Sequence, residues 1–176
     1  KLGVRDSKKI TDADMLKIGP QLMDRIPHSL LIVTPQKYNQ VHEENNLNAI
    51  KAKLHNQAYI NLAKKINLPS FKIIDQFTPE SSYYRYLKNE PQIVRGIHFE
   101  TKAEDKYLSV AVGSIISRYG FLKTWQEMEQ KYDITFPKGS SDKVDILAQE
   151  FVDRYGFERL GEVAKLHFKN TEKIRV

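Results

Sequence analysis

No cysteine occurs among the 176 residues. That excludes disulfides, thiolate nucleophiles and zinc sites built on sulfur, and it suits a cytoplasmic protein. No apolar run approaches the roughly 20 residues that a membrane-crossing helix needs, and no charged-then-apolar leader opens the chain, so no membrane partner is expected. Internal repeats, low-complexity tracts and long flexible linkers are also missing, which argues against a solenoid or a disordered tail. What is present is 40% apolar residues, enough at this length for one core, so a single domain over residues 1–176 is expected. The charge balance is uneven, 28 Lys and Arg against 22 Asp and Glu, for a formal charge of +6. It favours a polyanionic partner, nucleic acid before membrane, although many basic globular proteins bind no nucleic acid.

Along the chain, Thr11 followed by Asp14 and the apolar Met15, Leu16, Ile18 and Leu22 predicts a capped helix to about Arg25, ended by Pro27. Residues 29–34, SLLIVT, read as a strand before Pro35, and the polar stretch that follows holds a short helix. Leu47, Ile50, Leu54, Ala58, Leu62 and Ile66 keep the i, i+4 rhythm of a long amphipathic helix, closed by Asn67 and Pro69. Residues 71–75, FKIID, form a second strand entered from that helix, as in a βαβ unit. Thr78, Pro79 and Glu80 supply an N-cap, an N1 proline and an acidic first turn for a helix through Leu87. Residues 92–99, QIVRGIHF, are a third strand or an extended connection, residues 137–141 a turn, and residues 143–155 a helix ended by Gly156. The alternation of strands and helices predicts an α/β fold.

The stretch 99–119 organises the rest. A charged loop with Lys102, Glu104, Asp105 and Lys106 gives way abruptly to a helix in which Leu108, Val112, Ile115 and Tyr119 recur at helical spacing while Ala111, Gly113, Ser114 and Ser117 keep other faces narrow. The helix is expected to be buried. A carboxylate at its start lies near the positive end of the macrodipole and suits a metal ligand, or it is an ordinary acidic first turn. Asp75, at a strand end, sits where open α/β sheets place ligand-binding groups, or it terminates the strand by hydrogen-bonding the turn. Asp75 and Glu104 together would bring two carboxylates to one end of the sheet. Oxygen ligands with no Cys or His cluster suit Mg²⁺ or Mn²⁺ rather than zinc, and paired ions about 4 Å apart can drive phosphodiester displacement by water. Asp6, Ser7, Lys8 and Lys9, and likewise Lys138 and Gly139, are candidate phosphate grips or plain polar loops. His167 is a surface or half-buried histidine with a conceivable proton-shuttling role, and Tyr83, Tyr84 and Tyr86 are expected to pack rather than to stack on bases.

Taken together, residues 3–11 (GVRDSKKIT), 73–77 (IIDQF), 101–104 (TKAE), 109–119 (SVAVGSIISRY), 136–139 (FPKG) and 166–169 (LHFK) resemble type 2 ribonuclease H domains, nearer the HIII branch than the HII branch. The resemblance covers essentially the whole chain. It implies an RNase H-like fold with a central mixed sheet flanked by helices and a C-terminal helical segment. It also implies endonucleolytic hydrolysis of the RNA strand of RNA/DNA hybrids by a monomer using Mg²⁺ or Mn²⁺, leaving 5′-phosphate and 3′-hydroxyl ends. Asp75 maps onto the family's third catalytic carboxylate and Glu104 onto the fourth, with Asp105 the alternative should the register shift by one. Ser7, Lys8 and Lys9 map onto a nucleic-acid-contacting loop, which Lys138 and Gly139 would supplement.

One departure matters. The family's first two carboxylates form an Asp-Glu pair on an opening strand, and no Asp-Glu dipeptide occurs in this chain. Nor is there a counterpart of the family's N-terminal substrate-binding domain. With Lys1 in place of an initiator methionine, the sequence is expected to be a fragment lacking its first strand, with part of the metal site and little or no cleavage of its own. Two other readings remain open: a non-catalytic nucleic-acid-binding module, and another RNase H-like nuclease, such as a resolvase or integrase, acting on DNA. Gly113, where the family usually has Ala, is expected only to loosen helix packing.

Overall fold

Side-chain caps start the helices where the sequence places them. The Thr11 hydroxyl accepts the Asp14 N–H at 3.2 Å and donates to the Asp14 carboxylate at 2.7 Å, opening α1 (Asp12–Arg25). Thr34 accepts the Lys37 N–H, with Pro35 at the first helical position, to open α2 (Pro35–His42). Asn46 accepts the Ala49 N–H at 2.9 Å to open α3 (Leu47–Ala63). The computed structural model describes residues 10–139 and 142–174, and these continue through β1 (Lys72–Asp75), α4 (Glu80–Tyr86), β2 (Ile97–Glu100), α5 (Ala103–Lys106), α6 (Leu108–Tyr132) and α7 (Asp142–Tyr155). Two 3₁₀ segments, Phe157–Glu162 and Lys169–Lys173, follow Gly156, whose φ of 86° breaks α7. No helix among them is long and apolar enough to cross a membrane.

Three expectations about strands and caps are corrected. Residues 29–34 form no strand among the described residues. Leu30 instead packs over Gly120 of α6, where an added Cβ would lie 3.0 Å from it, and Thr34 is engaged in capping α2. The sheet among the described residues is two-stranded and wholly parallel, not mixed: β1 pairs with β2 from Lys72↔Ile97 to Asp75↔Glu100, with α4 as crossover. At α4 the N-cap position falls on Pro79, with no side-chain cap, and Thr78 is buried.

The described chain forms two compact units. The first, residues 10–32 and 45–123, has a core of Ala52, Ile74, Tyr83, Leu87 and Ile97, with Tyr84, Tyr86 and Phe99 packed around it, and a second cluster of Leu22, Ile115 and Ile116. Tyr83 is fully buried, and Tyr84 and Tyr86 pack beside it, so these rings belong to the core. Buried Asn56 of α3 donates to Gln92 O at 2.8 Å and accepts the Val94 N–H at 2.9 Å, which holds residues 92–94 extended outside the ladder and delays β2 to Ile97. Tyr59, one turn further on, donates to Ile73 O at 2.6 Å. On α6, Ala111, Ile115 and Ile116 are buried as expected, but Leu108 is 59% exposed and Gly113 and Ser117 are exposed too, so the small residues do not all mark packing faces.

The second unit, residues 33–44 and 124–139 with 142–174, buries Tyr132, Ile134, Phe151, Val152 and Leu160. Asn39 of α2 ties the C-terminal segment down by donating to Gly161 O and Ala164 O and accepting the Leu166 N–H. Glu162 accepts from Lys131, Tyr132 and Arg159, and these donors hold its carboxyl down at about 2.

Two glycines should respond oppositely to alanine. A Cβ on Gly19 of α1 would fall 2.4 Å from the Tyr119 ring, so overpacking, typically about 1–3 kcal/mol, outweighs the gain of about 1 kcal/mol in helix propensity. Among the described residues Gly113 has no atom within 4 Å of a built Cβ and keeps the propensity gain alone, so its cost is not one of packing. Urea unfolding should show Gly19→Ala destabilised and Gly113→Ala stabilised by about 1 kcal/mol. A further expectation concerns acid. Glu162 is ionised in the fold at a pH where the unfolded chain would protonate it, so its contribution is complete above the ordinary value of 4.5 and disappears as pH falls toward 2. The stability difference between wild type and Glu162→Gln, followed by acid titration of urea midpoints, should therefore close across that window.

Candidate metal centre at the end of the parallel strands

β1 ends on Asp75, whose exposed side chain reaches the turn that follows β2. Its Oδ1 accepts the N–H of Ala103 at 2.9 Å, and Oδ2 has no hydrogen-bond partner among the described residues. Ala103 is fully buried. The residue before it, Lys102, adopts the left-handed conformation with φ of 55°, unusual for a side chain with a Cβ, and this turns the Ala103 N–H toward the carboxylate. The turn then closes as α5, so the acids expected at the start of the long helix sit on a separate single turn before it.

Asp75 and Glu104 line one groove of about 920 Å³. All of β1 lines it, with residues 26–31, one stripe of α3 and the first half of α6, so most of its wall is apolar. Asp105 is exposed and does not line this groove, which favours Glu104 over Asp105 as the partner of Asp75. The donor set fits a hard divalent cation: Mg²⁺ sites commonly use one or two carboxylates and complete the shell with water and substrate phosphate. Among the described residues no cluster of three or more His, Cys, Asp or Glu that could hold a metal ion is gathered.

Glu100, the register partner of Asp75, is a third carboxylate at this end of the sheet, but it is engaged by Lys106 and His98, whose hydrogen bonds hold its carboxyl below the usual range. Lys51 and His55 are not singled out by the sequence, and Phe77 enters there only within the 73–77 motif. His55 packs against Phe77 with ring centroids 5.2 Å apart, and burial and the Lys51 charge lower its imidazole while Asp75 acts the other way. The i, i+4 spacing of Lys51 and His55 was a readable signal once Asp75 was placed.

The other candidates fall elsewhere. Ser7, Lys8 and Lys9 lie outside the described residues. Lys138 and Gly139 belong to the second unit, both exposed, with Gly139 at φ 111°. His167 is in the second unit too, its ring 4.2 Å from that of His42 and near Tyr38, and burial together with His42 and Lys165 lowers it.

The chain has an RNase H-like α/β fold, as its match to solved structures shows. Bst-RNase HIII, solved in complex with Mn²⁺, superimposes with a TM-score of 0.94 at 37% identity, covering 98% of this chain and 57% of that one. The chain belongs to the ribonuclease HII family, whose model matches residues 1–171. Ribonuclease HIII of Bacillus mycoides is 43% identical over 98% of this chain, and that of Listeria monocytogenes matches at the same identity. The chain spans only 56–57% of the length of these relatives.

Removing the acceptor at position 75 should be felt in stability. Asp75→Ala strands the buried Ala103 N–H, at a cost of about 1–3 kcal/mol, whereas Asp75→Asn keeps an oxygen there. Thermal unfolding should rank wild type and Asp75→Asn above Asp75→Ala, and equal midpoints would remove the bond from the account of this turn.

Proposed function

We propose that this chain carries half of the carboxylate centre of an endonuclease that hydrolyses the RNA strand of RNA/DNA hybrids, leaving 5′-phosphate and 3′-hydroxyl ends. The observation that supports it most directly is the bond from the Ala103 N–H to Asp75, which sets the Asp75 and Glu104 carboxylates in one groove with one oxygen of Asp75 uncommitted. A divalent cation, Mg²⁺ or Mn²⁺, would supply charge neutralisation at the phosphodiester and an acidified water. The chain's own part is to hold the two carboxylates on a strand end and a one-turn helix braced by a buried alanine. Ser7, Lys8, Lys9, Lys138 and Gly139 are proposed as contacts to the hybrid backbone, and the protein is proposed to act as a monomer in the cytoplasm.

The absent Asp-Glu pair makes the centre incomplete in this sequence. β1 has an edge with no strand partner among the described residues, and the groove runs along the whole of that strand. The 176 residues alone are therefore expected to cleave hybrid little or not at all. A fusion to the part of the Bacillus mycoides relative that this chain does not cover should cleave it, with Mn²⁺ or Mg²⁺. In that fusion Asp75→Asn and Glu104→Gln should each lower cleavage by more than the about 100-fold typical of losing an outer-shell partner, while hybrid binding persists. Gel assays on hybrid and duplex DNA check this. Unchanged cleavage in Asp75→Asn, or cutting of DNA in place of hybrid, would overturn the reading.

A further inference from the structure

The stripe of α3 that faces the groove runs through Lys51, Leu54, His55, Ala58 and Leu62, positions i, i+3, i+4, i+7 and i+11. Only its first turn is polar. That turn stands at the carboxylate end of the groove, because His55 and Lys51 both rest on Phe77, two residues beyond Asp75: the Lys51 ammonium lies 5.3 Å from the ring centroid and the His55 ring 5.2 Å. Among the described residues two lysines line the groove, and they differ. Lys72 donates to Ser70 O, whereas Lys51 has no ion pair among the described residues and its ammonium lies over the Phe77 ring. Its neighbour on the helix, Lys53, is committed to Glu90 at 3.4 Å. An exposed ammonium parked on an aromatic face beside a pair of carboxylates is a positive charge awaiting an anion, since an exposed cation–π contact is worth only about 0.5–1 kcal/mol.

We infer that Lys51 is a substrate-contacting residue of this groove, gripping a backbone phosphate adjacent to the one that the Asp75 and Glu104 centre addresses, with Phe77 and His55 as the positioning platform. The assignment rests on the nuclease reading above and extends it to a residue on α3. Geometry supplies the reason for a lysine rather than a second carboxylate partner. Lys51 rests on Phe77, two residues beyond Asp75, and makes no bond to Asp75 among the described residues, so it adds positive charge where the polyanion must lie without competing for that carboxylate.

The test is hybrid binding by the chain, measured by fluorescence anisotropy of a labelled RNA/DNA hybrid across a KCl series with Ca²⁺ present to prevent cutting. In Lys51→Gln the plot of log K against log salt should become shallower by about 0.7–0.9, the value for one phosphate contact. Lys51→Arg should keep the wild-type slope, and so should Lys53→Gln. Mn²⁺ affinity, read by electron paramagnetic resonance, should be the same in Lys51→Gln as in wild type. A wild-type slope in Lys51→Gln overturns the inference, as does equal flattening by Lys53→Gln, which would mark a general charge effect. Either result leaves the nuclease reading standing, because that reading fails on the cleavage of Asp75→Asn. No affinity of the chain for hybrid would overturn the inference, and the nuclease reading would still be decided by cleavage in the fusion.

Discussion

The hydrogen bond from the Ala103 N–H to Asp75 is the constraint on which the site depends, because it joins the end of β1 to the turn after β2 through a fully buried residue. An aspartate at a strand end can terminate the turn, and Asp75 does so here; the ligand role is the one proposed for it. One oxygen closes the turn, and the residue also lines the groove. A carboxylate with a single fixed oxygen loses rotamer freedom before any cation arrives, and that preorganisation is what a metal ligand needs. The left-handed Lys102 fits this account, since strained backbone persists where its surroundings over-determine it.

The helix beneath the sheet does more than fill the core. Asn56 satisfies the backbone of residues 92–94, Tyr59 bonds Ile73 O of β1, and Ala52 packs under Ile74, so α3 positions the strand whose last residue is Asp75. The same helix turns Lys51 and His55 toward the groove. Structural and chemical duties are divided by face: Ala49, Ala52, Asn56 and Ile60 are buried, while Lys51 is exposed and His55 half-buried. Any change that rotates α3 would move the strand end and the lysine together.

Helices were legible because their signals are local. Thr11, Thr34 and Asn46 each cap within three residues of themselves, and no distant partner is needed. Strands were less so. Residues 29–34 have a strand's composition, but a ladder requires a neighbour's N–H and C=O groups, and the run instead lays Leu30 on Gly120. Asn56 likewise shortens the third run from a position 36 residues away. At the site, Asp75 could be read from its place after an apolar run. The choice between Glu104 and Asp105 could not be made from composition, because the phase of a one-turn helix follows from the backbone of Lys102, a conformation that no residue type dictates. The exposure of Leu108 and Gly113 was hidden for a related reason: helical spacing gives a face, not what covers it.

The separation of positive from negative charge at the groove's polar end has an energetic logic. Two opposite unit charges 4 Å apart attract by about 4 kcal/mol at the effective dielectric of a protein surface, so a lysine placed to pair with Asp75 would compete with the cation for the same oxygens. A resting place on Phe77 costs little to leave and keeps Lys51 from collapsing onto the carboxylate. Glu100 shows the alternative at the neighbouring strand end, where Lys106 and His98 close on the carboxylate and lower its proton affinity. Asp75 and Glu100 stand side by side in register on parallel strands, with the same side-chain chemistry. The two strand ends therefore differ in what engages them: Lys106 and His98 close on Glu100, whereas Asp75 takes the Ala103 N–H and Lys51 rests on Phe77 nearby.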